Sequence, residues 1–120
     1  MNSEVDNITT RACSKKLMGY LLQIVKLGSG KVVVSSDMTP RVSNNGELVP
    51  LSDEVLTDDA ISGFVESFEI PGLGNVRKGG QIYFTLVLQA GHVFRVLINP
   101  YLIECRYVIT DPSLIATLKD

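Results

Sequence analysis

The sequence contains no tryptophan, one histidine and two cysteines among its 120 residues. A single histidine, His92, supplies neither a histidine dyad nor a histidine-rich metal site, so no metal or cofactor is expected. Cys13 and Cys105 fall at no metal-ligand or redox spacing and read as buried thiols. An excess of either charge is missing too, with 11 Lys and Arg against 13 Asp and Glu and a formal net charge of −2. Nucleic acid is normally held by a basic stripe, so no nucleic-acid partner is expected. No apolar run approaches ~18 residues, so no membrane span is expected. The first residues, Met1-Asn2-Ser3-Glu4-Val5-Asp6, are acidic and polar, unlike a secretory signal. A cytoplasmic protein is expected.

What is present is globular: 45% of residues are hydrophobic and 20% charged. The length suits one domain. Residues 1–13 show no periodicity across most of their length and are expected as a flexible tail, with a single α+β domain over 14–120. From Ser14 to Leu27, Leu17, Tyr20, Leu21, Ile24 and Val25 recur at helical spacing, with Ser14 placed to cap the start and Gly28 the end. Lys31 to Ser36 reads as a strand. Asn45-Gly46 then makes the tight turn of a hairpin within residues 38–51, since both residues tolerate positive φ. A second helix fits Thr57 to Phe68, with Thr57 as cap and Asp58 and Asp59 at the positive end of the helix dipole. Asp111-Pro112 opens a short helix to about Leu118.

Between them, residues 81–109 predict a three-strand antiparallel meander. A three-residue loop at Gln89-Ala90-Gly91 pairs Leu86 with Phe94 and gathers Ile82, Phe84, Leu86, Phe94, Val96 and Ile98 on a core face. At the next turn, pairing Ile98 with Tyr101 sets Arg95 opposite Glu104. A slip by two sets Arg95 opposite Arg106, so the first register is expected. The outer face carries Tyr83, Thr85, Val87, Gln89, Val93, Arg95, Leu97, Leu102, Glu104, Arg106 and Val108. Half of these are apolar, too many for a simply solvated face. An end of the chain or a second copy can cover such a face; alternatively it docks another protein. The candidate interaction residues are Tyr83, Val87, Arg95, Leu97, Leu102, Glu104 and Arg106.

Motifs of catalysis fail one by one. Gly28-Ser29-Gly30-Lys31 lacks the earlier glycine of a phosphate-binding loop (position 25 is Val), has Val32 where Ser or Thr should follow, and precedes a strand. Gly72-Leu73-Gly74 lacks its third glycine, because position 77 is Arg. No base accompanies a Ser or Cys nucleophile. Asp53, Glu54, Asp58 and Asp59 sit where a helix begins, which explains them by capping. An enzyme is not expected.

The stretch Pro40-Arg41-Val42-Ser43-Asn44-Asn45-Gly46-Glu47-Leu48-Val49-Pro50-Leu51 resembles the N-terminal, PAS-like domain of PilT-type ATPases of pilus retraction and type II secretion. Phe94-Arg95-Val96 and Val108-Ile109-Thr110-Asp111-Pro112-Ser113-Leu114 are similar in character to later segments of that domain. The resemblance departs at Gly28 to Ser35, where the family's Asp and His are replaced by Lys31 and Val33. It implies an antiparallel sheet with helices packed on one face, in the order helix, strand, hairpin, helix, meander. It does not imply ATPase activity, because the family's Walker motifs and its acidic and histidine boxes belong to the C-terminal domain.

Together these readings predict a non-enzymatic interaction or regulatory module. It would be an adaptor or accessory subunit of a pilus or secretion ATPase, or a homodimer, acting through the outer sheet face. A PAS-like small-molecule sensor would instead need a cavity near Phe64, Phe84 and Phe94. A dimeric secretion chaperone would end in a longer helix than residues 112–119 allow.

Overall fold

A computed structural model describes residues 8–108, apart from 45, 74, 75, 77, 78, 89, 90, 100 and 101. The expected terminal helix and the first seven residues of the expected tail lie outside the described residues.

Helix α1 spans Lys15–Leu27. The Ser14 hydroxyl accepts from the Leu17 backbone N–H at 3.2 Å, and Gly28 closes the helix in the left-handed region at φ 84°. Leu17, Leu21 and Ile24 form its buried stripe, each worth about 2 kcal/mol on transfer from water. Helix α2 spans Asp58–Ser67 and buries Ile61 and Phe64, with Phe68 buried just beyond. Tyr20 meets Phe64 edge-on, with ring centroids 6.4 Å apart, which joins the two helices. The Thr57 hydroxyl accepts from the Ala60 N–H at 3.1 Å. Thr57→Ala is therefore expected to lower unfolding free energy by about 1 kcal/mol, read as a shifted urea midpoint at constant slope.

Seven strands form one sheet: β1 (Thr9–Thr10), β2 (Lys31–Ser35), β3 (Arg41–Asn44), β4 (Glu47–Pro50), β5 (Ile82–Val87), β6 (Val93–Asn99) and β7 (Leu102–Val108). Their spatial order is β1-β5-β6-β7-β2-β3-β4. Strand β2 alternates because one face is covered: Val32 and Val34 are buried, while Lys31, Val33 and Ser35 face the other way. The core lies on the helical side, where Val32, Val34, Phe84, Leu86, Phe94, Val96, Ile98, Ile103 and Cys105 meet both helices.

The first meander register is as expected, with Leu86 opposite Phe94 and the Leu88 N–H donating to the His92 carbonyl at 2.8 Å. So is the 38–51 hairpin, with Asn44 opposite Glu47.

Two expectations are corrected. The sheet is mixed, because β1 runs parallel to β5; Thr9 pairs with Thr85, and the Thr85 N–H donates to the Ile8 carbonyl at 2.9 Å. Residues 8–13, expected within a tail, are thus docked, and the Thr10 hydroxyl donates to the Phe68 carbonyl at 2.8 Å. The β6–β7 register is the slipped one: Ile98 pairs with Ile103, so Arg95 lies opposite Arg106 and Glu104 opposite Leu97. The Asn99 side-chain carbonyl accepts from the Leu102 N–H at 3.0 Å and closes a two-residue connection. Side-chain charge yields to this turn because the two arginines bend apart. Arg95 donates to the Thr85 hydroxyl at 3.0 Å, and Arg106 turns toward Glu104 at 3.7 Å.

Strand β4 is exposed along its whole length and forms one edge. The Leu51 N–H bonds to the Pro40 carbonyl at 2.8 Å, so by alternation Leu48 and Pro50 turn their backbone groups outward. Proline has no N–H there, which blunts the edge against further pairing.

Candidate functional site

The strand register lays the outer-face side chains out in rows. One row runs Tyr83, Leu97, Glu104, Val33, Arg41 and Pro50 across β5, β6, β7, β2, β3 and β4. The next runs Thr85, Arg95, Arg106, Lys31, Ser43 and Leu48. Adjacent positions in a row are separated by one strand spacing, roughly 4.8 Å.

Five of the seven expected interaction residues lie at or partly at the surface of this face, while Leu102, at the start of β7, lines a depression beside α2. Tyr83 is 44% exposed, Arg106 is exposed, and Arg95, Leu97, Leu102 and Glu104 are half-buried. Val87 is only 2% exposed and offers no surface, as is true of Val93 at 3%. Tyr83, Arg95, Leu97, Glu104 and Arg106 line an open depression of about 340 Å³.

Electrostatics on this face centre on Glu104. Its carboxylate accepts from the Lys31 ammonium at 3.5 Å and stands 3.7 Å from Arg106. Lys31 and Arg41 belong to the face and were missed in reading the meander alone. The alternation of Lys31-Val32-Val33-Val34 marks which side Lys31 takes. That β2 lies beside β7 is a long-range fact with no local signature.

On the core side, Phe84 and Phe94 are fully buried, and the Phe68 ring sits 4.9 Å from Phe84. The depressions described near α2 are lined by other residues, including Ile61, Ser62 and Leu102. His92 is placed by structure: its Nδ1 lies 3.2 Å from the Tyr107 hydroxyl.

Burial pushes the Cys13 thiol up to about 11 from 9.0, and Cys105, fully enclosed, higher still. The native state therefore keeps these protons where an unfolded chain releases them. This contribution to stability is complete below about pH 9; the Cys13 part is lost as pH rises toward 11, and the Cys105 part goes on falling above that. A C13A/C105A variant should show a flatter fall of the urea midpoint between those pH values than the unaltered protein.

No family model matches the chain, and no curated protein matches it. Among solved structures the chain is similar to the ATPase DotB of Legionella pneumophila, with a TM-score of 0.69 and 13% identity. The likeness covers 89% of this chain and 33% of DotB, so the two share a fold over about a third of that ATPase.

Proposed function

We propose that this chain is a non-enzymatic interaction or regulatory module, an accessory subunit or adaptor of a pilus or secretion ATPase, docking through its outer sheet face. The observation that carries the reading is the fold shared with part of DotB across 89% of this chain. It agrees with the resemblance of residues 40–51 to the N-terminal domain of PilT-type ATPases, a PAS-like arrangement. In that family this domain packs against a neighbouring subunit's motor and moves with its nucleotide state. The Walker motifs that drive such motors are not among these 120 residues. What this chain contributes is a surface, anchored by Tyr83 and Leu97 and oriented by Arg95, Glu104 and Arg106.

Affinity capture from the native host tests this. Immobilised full-length chain should retain a pilus or secretion ATPase, and Leu97→Asp should release it by desolvating a charge in the contact. Retention of no ATPase, or equal retention by the Leu97→Asp variant, sinks the reading.

A further inference from the structure

We infer that the outer sheet face recognises an acidic protein segment. The inference rests on the docking reading above and names the chemistry of the partner. Among the described residues, the outer-face positions of the sheet hold four cations, Lys31, Arg41, Arg95 and Arg106, and one carboxylate, Glu104. This imbalance stands in a chain whose formal net charge is −2, so the face opposes the sign of the whole molecule.

Three of the cations are direct neighbours. Arg95 pairs with Arg106 across β6 and β7, and Arg106 with Lys31 across β7 and β2. Like charges placed opposite one another on a sheet repel. Arg95 is engaged with Thr85, and Glu104 is shared between Lys31 and Arg106 at 3.5 and 3.7 Å. One carboxylate thus serves two cations at long range. Arg41, beside Val33 in the next row, has an Nε shielded from water without a hydrogen-bond partner. Carboxylates on one side of an incoming segment would relieve this repulsion, with Tyr83 and Leu97, which line the same depression, supplying apolar contact around them. A second copy fits poorly, because flush two-fold apposition sets this row of cations against itself.

Fluorescence anisotropy on the full chain tests the inference with three labelled peptides of equal length, built on Glu/Leu, Lys/Leu and Ser/Leu patterns. A single-stranded oligonucleotide serves as a fourth probe, and sedimentation velocity is run in parallel. The Glu/Leu peptide should bind alone. Its affinity should fall at least about tenfold in K31E/R106E and fall again as salt rises from about 0.05 to 0.5 M. Equal binding of all three peptides, lost in Leu97→Asp but unchanged in K31E/R106E, overturns the acidic preference and leaves the docking reading intact. Failure of the Glu/Leu peptide to bind overturns the inference, as does tighter binding of the oligonucleotide. A dimer that Leu97→Asp dissociates overturns it by giving the face to a second copy.

Discussion

Replacing Gly30 with alanine is expected to destabilise the protein by about 3–5 kcal/mol, lowering Tm by roughly 10 °C or more. Gly30 adopts φ 118°, a region that side chains rarely enter. A Cβ built there meets the Ser43 carbonyl oxygen of β3 at a distance no real contact tolerates, with the Ile24 side chain 3.3 Å away. The obstacle on the β3 side is backbone, which cannot swing aside as a flexible side chain can. Moving it disturbs the β2–β3 pairing, and the Gly30 carbonyl also accepts from the Tyr107 N–H at 3.0 Å. Gly28→Ala isolates the conformational part. Gly28 has φ 84° with open space around its Cβ position, so its loss should cost about 1 kcal/mol. Equal midpoints for the two variants in urea unfolding would contradict the close approach of β2 and β3.

Phe84→Ala should remove about 3–5 kcal/mol, with the slope of the urea transition unchanged. Phe84 is fully buried on β5, opposite Val96 on β6, and its ring packs against Phe68 beyond the end of α2. The loss combines transfer of a large aromatic side chain with the cavity left among rigid neighbours. Tyr83, one residue earlier, points to the opposite face at 44% exposure. Tyr83→Ala should change stability by no more than about 0.5 kcal/mol. The contrast between consecutive residues tests the two-sided sheet directly, since a register slip by one would reverse it. An effect of similar size for both substitutions would contradict the assigned faces.

Features whose causes are local were legible in the sequence. Ser14 and Gly28 bracket α1, Thr57 opens α2, and the turn between Asn44 and Glu47 sets the hairpin register, because each acts within a few residues. The division of residues 82–98 into two faces follows from a period of two and needed no tertiary knowledge. Strand β1 was invisible because two threonines have no period. Its existence depends on the distant Thr85 and Phe68. At β6–β7 the expected Arg95–Glu104 pairing, worth roughly 0.2–1 kcal/mol, is too weak a signal to set the register. Long arginine stems can bend away from each other, whereas the Asn99 side chain must stay within reach of the Leu102 N–H. The candidate site suffered the same limit. Tyr83, Arg95, Leu97, Glu104 and Arg106 share one sheet face as the period of two implies. Val87 lacks the surface expected of it, and Lys31 and Arg41 join that face only because topology brings β2 and β3 beside β7.

Pro50, on the blunted edge of β4, bears on the kind of specificity the proposed docking face would have. Strand β1 at the opposite edge is two residues long, and Pro50 withholds an outward N–H at its own edge. Partners that add a strand are held largely by backbone, so many sequences suffice and selectivity is loose. A sheet that discourages growth at both rims leaves its face, side chain by side chain, as the surface on which the proposed docking would rest. On the proposed docking reading, single substitutions at Lys31, Arg41 or Leu97 should change which partner is held while the hydrogen-bonded ladder beneath them stays unchanged.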